Sequence, residues 1–188
     1  MKSQARVVVI GGGVVGCSVL YHLTKAGWKD VVLVERDRLT SGSTWHAAGG
    51  FHTLNGDPNV AKLQGYTIGL YDELEKISGQ ACGLHRSGGL ILADTPERLE
   101  WLKMAHARAK YLGLETEMMS MKEAKALNPL LEEKYFVGAM LDAADGNLDP
   151  EGTTHAYAKS ARIAGAEIYQ NCRVTDLKAR ADGTWDVI

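Results

Sequence analysis

The sequence predicts an α/β fold built on a parallel sheet, and three neighbouring features near its start support that prediction. Residues 6–10 form a short run dominated by β-branched side chains, which is typical of a buried parallel strand. Glycines at 11–13 interrupt this run. Residues 14–26 then repeat apolar side chains at helical spacing before Gly27, a residue type common just beyond a helix. A second apolar strand follows at 31–34, so the order is strand, helix, strand.

The rest of the chain alternates helix and strand signals around one long loop. Residues 36–56 are rich in glycine, serine, threonine and alanine and show no period, which predicts a loop. Further helices are predicted where a capping residue or an early proline precedes helical spacing, after Asp57, Thr95, Ser120 and Asp149. Strands are predicted at 84–93, with an interruption at Gly88-Gly89, at 136–141 and at 167–169, and a hairpin with a type I′ turn at 174–188.

Composition and charge argue against several classes of function. The chain has 188 residues, of which 45% are hydrophobic, and this is enough for a buried core. Lys and Arg number 21 against 23 Asp and Glu, and no long run of like charge indicates nucleic-acid or anionic-membrane binding. No stretch approaches the roughly 20 apolar residues of a membrane span, so a soluble, cytoplasmic protein is expected. The three distant cysteines, Cys17, Cys82 and Cys172, predict neither a disulfide framework nor a metal site.

The glycine-rich turn after the first strand has the spacing of a dinucleotide-binding fingerprint, Gly11-x-Gly13-x-x-Gly16. Gly11 allows a tight turn, Gly13 lets the backbone approach a pyrophosphate, and Gly16 lets the helix pack close to the strand. The helix begins at Val14 and Val15, so their backbone and the positive end of the helix dipole would face a bound phosphate. Glycines that only pack a helix on a sheet are the alternative, and the fingerprint does not choose between NAD and FAD.

An acidic residue ends the second strand, at the position where nucleotide-binding folds of this kind place one. There the carboxylate of Glu35 can accept hydrogen bonds from the ribose hydroxyls of an adenine nucleotide. Its charge would repel a 2′-phosphate, which disfavours NADP despite the neighbouring Arg36. The sequence therefore predicts a site for a dinucleotide without a 2′-phosphate.

The loop that follows Glu35 contains the most informative segment of the chain. Its small residues permit close approach to a flat ligand, and Ser43 and Thr44 offer hydroxyl groups to phosphate or ring atoms. Considered alone, His46 is more often a structural histidine, and His52 is a weaker candidate to face a ligand. The other histidines are interpreted as structural or exposed; they are His22, His85, His106 and His155.

Together these segments resemble the dimethylglycine and sarcosine dehydrogenase family, which is part of the D-amino-acid-oxidase-like flavoprotein superfamily. The resemblance extends along the whole chain, and Gly-Ser-Thr-Trp-His-Ala-Ala-Gly at 42–49 is its most specific part. The other segments that carry it are 7–16, Glu35-Arg36, 145–150 and 173–177.

The resemblance implies that the cofactor is FAD and assigns a role to each part of the site. In this family the histidine of the 42–49 segment is joined covalently to the flavin, so His46 is the implied attachment residue. Glu35 and Arg36 are implied to bind the adenosine ribose, and Val174 to contact the adenine through its backbone. The segment implied to wrap the cofactor consists of Gly42, Ser43, Thr44, Trp45, His46, Ala47, Ala48, Gly49 and Gly50.

The resemblance also implies a discontinuous domain organisation. Residues 1–83 are expected to form the first part of a Rossmann-like FAD-binding domain, with helices on both faces of its parallel sheet. Residues 84–144 would begin a substrate domain with an antiparallel sheet, and 145–188 would return to the FAD-binding domain. Because relatives continue well beyond this length, the chain is expected to be an incomplete N-terminal portion. No catalytic acid, base or substrate-binding arginine is assigned within it.

The implied reaction is the oxidation of a secondary or tertiary N-methyl amine, such as dimethylglycine or sarcosine, by hydride transfer to the flavin. Electrons would pass to oxygen or an electron-transfer protein, and folate would take part through sequence beyond residue 188. A eukaryotic protein of this kind would lie in the mitochondrial matrix. Two alternatives remain: another amine or amino-acid oxidase with non-covalent FAD, and a non-enzymatic regulatory homologue. The Trp45-His46 pair argues against the second, because a regulatory protein does not need a flavin tether.

Overall fold

A computed structural model describes residues 1–188 and confirms the predicted α/β class with a parallel sheet. The helices are α1 (Val14–Lys25), α2 (Pro58–Ser78), α3 (Pro96–Tyr111), α4 (Met121–Leu127) and α5 (Pro150–Ile163). The strands are β1 (Val7–Ile10), β2 (Val31–Val34), β3 (Gly50–Phe51), β4 (Gly89–Ala93), β5 (Thr116–Met119), β6 (Gly138–Asp142), β7 (Gly146–Asn147), β8 (Glu167–Tyr169), β9 (Leu177–Ala179) and β10 (Trp185–Val187). Two short 3-10 turns lie at Thr44–His46 and Glu133–Tyr135. None of the helices is both long and apolar enough to cross a lipid bilayer.

The chain divides into two compact units, which we call the first unit and the second unit. The first unit contains residues 1–49, 70–83 and 149–188. The second unit contains residues 50–69 and 84–148.

The first unit is built on a parallel sheet with strand order β1-β2-β8. Val8 pairs with Val32 across β1 and β2, and Leu33 pairs with Ile168 across β2 and β8. All four residues of β2 are buried, as expected for a central strand of a parallel sheet. The strand-helix-strand order predicted from the sequence therefore forms a parallel β-α-β unit, with the glycine-rich turn between β1 and α1.

The core of the first unit joins α1, α5 and the last turns of α2 to this sheet. Leu20 of α1, Leu33 of β2 and Leu74 of α2 are completely buried, and each contributes roughly 2 kcal/mol through burial. Helix α5 adds mainly small buried residues, including Ala156 and Ala161, which allow close packing in the same cluster. Its N-terminal cap is the predicted Asp149, whose side chain accepts a hydrogen bond from the Glu151 amide.

The second unit is built on an antiparallel sheet with strand order β4-β6-β5. Met140 of β6 lies between Ile91 of β4 and Met118 of β5, and it is completely buried against Leu102 of α3. Helix α4 begins at the predicted capping box, in which Ser120 and Glu123 exchange side-chain and backbone hydrogen bonds. A two-residue pair, β3 with β7, forms a separate small ladder in this unit.

Two predicted strands are shorter than expected, and one predicted turn is wrong. The first half of the predicted strand 84–93 is not a strand, because Gly88 has a φ of +72° and β4 begins only at Gly89. The hairpin strands are β9 and β10, and residues 174–176 precede them. A type I′ turn requires positive φ at both central residues, but Gly183 alone has it (+82°). The Gly183 amide bonds the Arg180 carbonyl at 3.1 Å instead, which is the pattern of a longer loop with a bulge at the glycine.

Candidate cofactor site

The glycine-rich turn between β1 and α1 excludes side chains in two ways, by backbone conformation at Gly11 and by close contacts at Gly12 and Gly16. Gly11 has a φ of +108°, and a Cβ atom on Gly16 would overlap the Gly11 carbonyl oxygen. A Cβ on Gly12 would lie 2.6 Å from Leu39 Cδ2 and 2.9 Å from Glu35 Cβ. Gly12 had no predicted role, but a side chain there would make closer contacts than at Gly13, where a Cβ would lie 3.2 Å from Thr44 Oγ1.

The N-terminus of α1 is open and carries no acidic side chain in its first turn. Its N-cap, Gly13, has no side chain to satisfy the first amides, and the first backbone bond within the helix is Cys17 N–H to the Gly13 carbonyl at 3.0 Å. The Val14 amide donates to Thr44 Oγ1 at 3.1 Å, and the Val15 side chain is 73% exposed. This helix end can accept an anion, because it presents backbone N–H groups and the positive end of the helix dipole.

The Glu35 carboxylate lies against this turn rather than in solvent. Glu35 is 8% exposed, its Oε2 accepts from the Gly12 amide at 2.6 Å, and its Oε1 accepts from the Asp37 amide at 2.9 Å. Each oxygen accepts one hydrogen bond from the backbone, so the carboxylate keeps further acceptor capacity for donors such as hydroxyl groups. The hydrogen bond from the Gly12 amide fixes the position of the Glu35 carboxylate relative to the glycine-rich turn.

A cavity of about 270 Å³ opens beside Glu35 in the first unit. Its volume is far larger than the roughly 30 Å³ that one water molecule occupies. Backbone pairing brings its walls together, since the Glu35 amide bonds the Tyr169 carbonyl at 2.9 Å and the Cys172 amide bonds the Glu35 carbonyl at 2.8 Å. The lining residues are Ile10, Gly11, Val34, Glu35, Arg36, Cys172, Arg173 and Val174.

This cavity brings together residues that were predicted from distant parts of the sequence. Glu35, Arg36 and Val174 were expected to bind the adenosine group, and all three line the cavity together with Gly11 of the predicted tight turn. Arg173, which the sequence analysis did not assign to the site, lies on the same wall and adds a positive charge. It could have been found as the residue before Val174 in the segment that carries the resemblance.

The segment Thr44–His46 forms a 3-10 turn that displays two aromatic side chains. Thr44 is buried, whereas Trp45 is 57% exposed and His46 is also exposed. The rings of Trp45 and His46 lie 4.8 Å apart, centroid to centroid, at an interplanar angle of 44°. The imidazole of His46 therefore lies at the surface of the first unit, in contact with a neighbouring indole ring.

The other predicted residues of this segment have less defined surroundings. The exposed positions are Gly42, Ser43, Ala47 and Ala48. Gly49 has a φ of +74°, which ends the segment with a sharp change of direction. Gly50 begins β3 and belongs to the second unit, unlike the rest of the predicted site.

Thr40 is a residue of this loop that the sequence analysis missed. It is 1% exposed and has a φ of +69°, which is rare for a β-branched residue. Its hydroxyl donates to Glu151 Oε1 of α5 at 2.8 Å, and its amide donates to the Gly12 carbonyl at 3.0 Å. No spacing rule links Thr40 to Glu151, so the contact has no signature in the sequence.

The other candidate side chains of the first unit make contacts within the structure. Cys17 is completely buried, and burial raises the pKa of its thiol to about 12. Burial likewise raises the pKa of the Cys82 thiol to about 11. His22 Nδ1 lies 2.7 Å from the Ser18 carbonyl oxygen, and His155 Nε2 lies 4.0 Å from Glu151 Oε1. Neither buried thiol is a nucleophile at neutral pH, because both remain protonated.

The second unit contains a close pair of carboxylates. Asp142 is completely buried and accepts hydrogen bonds from Thr53 Oγ1 at 3.3 Å and from the Ala144 amide at 3.0 Å. Asp145 has one buried oxygen, Oδ1, without a hydrogen-bond partner. Burial, together with the charge of Asp142, raises the pKa of Asp145 to about 6, and the nearby His52 opposes this rise. Asp145 therefore keeps its proton to a higher pH than an ordinary carboxyl group does.

Comparison with known proteins identifies relatives of the entire chain. Residues 6–188 match the family described as DAO, FAD dependent oxidoreductase. Human mitochondrial dimethylglycine dehydrogenase is 42% identical over 186 residues, 99% of this chain and 22% of that protein. Human mitochondrial sarcosine dehydrogenase is 39% identical over 183 residues, 97% of this chain and 20% of that protein. The solved structure of L-proline dehydrogenase from P. horikoshii superposes with a TM-score of 0.89 at 25% identity, covering 97% of this chain and 48% of that one.

These comparisons confirm the resemblance stated from the sequence. The chain spans about a fifth of the length of the two curated relatives, so the similarity concerns one part of each of them.

Proposed function

Because the chain belongs to the FAD dependent oxidoreductase family, we propose that its first unit binds FAD for the oxidation of a secondary or tertiary N-methyl amine. The observation that carries the proposal is the 2.6 Å hydrogen bond from the Gly12 amide to Glu35. It places a carboxylate suited to ribose directly beside a helix N-terminus suited to pyrophosphate. Those are the two groups that an adenine dinucleotide presents next to each other.

The geometry of the first unit fits each part of the adenosine diphosphate portion of FAD. The ribose would bind at Glu35, where the carboxylate retains acceptor capacity. The pyrophosphate would bind at the start of α1, whose first turn has no competing acidic side chain. The adenine would occupy the cavity of about 270 Å³, beside the backbone of Val174. The close contacts of Gly12 and Gly16 explain why the backbone itself, rather than side chains, forms this surface.

The 3-10 turn at Thr44–His46 would hold the flavin end of the cofactor. His46 is exposed, and an exposed imidazole can react with a bound ligand without rearrangement of the core. His46 would hold the flavin through a C–N bond that replaces one of its N–H bonds and one C–H bond of the flavin 8α-methyl group. The two protons would be released, and dioxygen would take up the two electrons. The bound cofactor then supplies the chemistry of accepting two electrons from the carbon next to an amine nitrogen.

We further propose that the first unit is the FAD-binding domain and that the second unit begins the substrate domain. The sheets support this division, because the first unit has a parallel sheet and the second an antiparallel one. The unit boundaries lie within a few residues of the sequence-based borders at 83/84 and 144/145, except that residues 50–69 join the second unit. The substrate, the electron acceptor and any folate-dependent step belong to this proposal for the whole protein.

Mass spectrometry tests the attachment at His46. The protein, expressed at its full natural length, is precipitated with acid, and a tryptic digest is searched for flavin mass. Cleavage after Arg38 and Lys62 gives one peptide, 39–62, that contains both His46 and His52. Fragmentation must therefore assign the added mass to His46, and His46→Ala should release all flavin on precipitation while His52→Ala should not.

A substrate panel separates the proposed function from its two alternatives. Dimethylglycine and sarcosine should reduce the bound flavin under anaerobic conditions faster than primary amino acids do. Release of all flavin by acid from an active protein would indicate the non-covalent oxidase. Bound flavin that no amine reduces would indicate the regulatory homologue.

A further inference from the structure

We infer that the partly buried hydrogen bond between Thr40 and Glu151 positions His46 for attachment to the flavin. Neither residue was part of the predicted site, and both act through the backbone of the loop rather than by touching the cofactor. The inference rests on the proposed attachment at His46 and adds the residues that make this attachment efficient. They are positioning residues, not catalytic ones.

Thr40 connects three parts of the first unit through different atoms. Its amide donates to the Gly12 carbonyl at 3.0 Å, in the glycine-rich turn. Its carbonyl accepts from the Trp45 amide at 3.4 Å, one residue before His46. Its hydroxyl donates to Glu151 Oε1 at 2.8 Å. A shift of Thr40 would therefore move the end of the loop that carries His46.

The backbone of Thr40 needs this side-chain hydrogen bond. A φ of +69° is unfavourable for a β-branched residue and persists only when its surroundings fix it. Thr40 is 1% exposed, so its hydroxyl has little access to water, although the Glu151 side chain is 47% exposed. Removing the hydroxyl leaves Thr40 free to return to an ordinary conformation, and the Trp45 amide then loses its acceptor.

The backbone of Glu151 is fixed because this residue lies in the first turn of α5. Its amide donates to the N-cap side chain of Asp149 at 2.9 Å, which fixes the start of the helix. The helix itself is part of the core of the first unit, with Ala156, Ala158 and Ala161 almost completely buried. The hydrogen bond to Glu151 therefore holds Thr40 in a fixed position relative to the core. The hydrogen bond from the Trp45 amide to Thr40 in turn holds the turn at Thr44–His46.

A structural role alone and a positioning role predict different results. If the hydrogen bond only stabilises the fold, its loss lowers the melting temperature and total FAD binding together. If it positions His46, its loss lowers the rate at which bound FAD becomes covalent, because attachment requires close alignment of the reacting atoms. Total FAD binding at Glu35 and at the start of α1 should then stay nearly stoichiometric.

The experiment uses the protein at its full natural length, prepared without flavin and then mixed with FAD. Total FAD is measured after gel filtration, and the covalent fraction is measured over time in acid-precipitated samples. Thr40→Val and Glu151→Ala should slow attachment at least five-fold with total FAD unchanged. Thr40→Ser keeps the hydroxyl and Glu151→Gln keeps an acceptor oxygen, so both should attach flavin within two-fold of the unaltered protein.

Thr154→Val is the matched control for loss of a buried hydroxyl. The Thr154 hydroxyl donates to the Pro150 carbonyl at 2.8 Å, the same length as the Thr40 bond, but both partners of this bond lie in α5. It should lower stability without slowing attachment. Wild-type attachment rates in Thr40→Val and Glu151→Ala would overturn the positioning role and leave the link at His46 intact. Absence of covalent flavin in the unaltered protein would overturn both.

Discussion

The glycine-rich turn at 11–16 and the loop at 40–46 are neighbours in the first unit, but different interactions determine their conformations. The turn depends on close backbone packing, which leaves no room for a Cβ on Gly12 or Gly16. The loop is fixed by hydroxyl groups, because Thr40 donates to Glu151 and Thr44 accepts from the Val14 amide. Added atoms should therefore disrupt the turn, whereas removed atoms should loosen the loop. The two segments should respond in opposite ways to the same kind of substitution.

The largest expected effect is that of adding one methyl group to the turn. In Gly16→Ala the new Cβ would overlap the Gly11 carbonyl oxygen, which is backbone and cannot rotate away. We expect the free energy of unfolding to fall by about 3 kcal/mol, the upper end of the usual range for overpacked substitutions. Urea unfolding of both proteins measures this difference in free energy.

The control for this prediction is the same substitution in the loop. A Cβ on Gly42 would meet no atom within 4 Å, so Gly42→Ala should change stability by less than about 0.5 kcal/mol. Equal stability of both variants would show that the turn is not limited by steric contact.

The second prediction concerns Glu35, the polar residue that joins the turn to the candidate nucleotide site. Glu35→Ala removes the carboxylate that accepts from the Gly12 and Asp37 amides, and its loss should lower the free energy of unfolding by about 2 kcal/mol, within the range for a hydrogen bond to a charged group. FAD content after gel filtration should fall strongly, and stability should fall with it. Glu35→Gln retains one acceptor oxygen, so its FAD content and stability should lie between those of the unaltered protein and those of Glu35→Ala. Full FAD content in Glu35→Ala would show that the carboxylate is not at the ribose.

The difference between the two segments also explains what the sequence could predict. The turn was predictable because steric exclusion leaves a local signature, namely glycines at fixed spacing between a strand and a helix. The same holds for the caps at Ser120 and Asp149, which depend on contacts only two or three residues away. The parallel sheet followed from these local elements, since a strand-helix-strand order with short connections has few arrangements.

The features that the sequence did not reveal depend on distant contacts. Thr40 and Glu151 are 111 positions apart, and a threonine with positive φ looks like any other threonine in a sequence. The hairpin turn was mispredicted because Asp182-Gly183 suits either a two-residue turn or a longer loop with a bulge. The pairing of Ala179 with Trp185 decides between them, and this register is not encoded in the turn itself.

The third prediction extends the comparison to the second unit, where a buried polar group lacks a partner. Asp145 has a pKa raised to about 6 by burial and by Asp142. A carboxyl group whose pKa is raised by folding stabilises the protein below its unfolded value near 4, and this contribution is lost as pH rises to about 6. Asp145→Asn supplies N–H groups in place of the Asp145 proton. It should stabilise the second unit by about 1–2 kcal/mol at pH 7–8 and by little at pH 4.

Hydrogen exchange of the β6 amides measures this effect, because β6 lies at the centre of the sheet in the second unit. Asp94→Asn is the control, since Asp94 is an exposed carboxylate in the same unit. Rates at each pH are compared as protection factors, which remove the intrinsic effect of pH on exchange, and Asp94→Asn should change them equally at pH 4 and pH 8. An Asp145→Asn variant that is no more protected at pH 8 than the unaltered protein would show that burial does not raise the pKa of Asp145.

The smallest expected effect concerns the hydrogen bond that joins the start of α1, beside the turn, to the loop. Thr44 Oγ1 caps the start of α1 by accepting from the Val14 amide at 3.1 Å, and loss of such a cap costs about 1 kcal/mol. Thr44→Val should therefore lower the melting temperature of the flavin-free protein slightly. Ser43→Ala should leave it unchanged, because Ser43 is exposed and makes no cap hydrogen bond. If the pyrophosphate of FAD binds at this helix end, its oxygens replace the missing hydroxyl and the cost of Thr44→Val shrinks on loading with FAD. A penalty that is equal with and without FAD would mean that the Val14 amide does not face the phosphates.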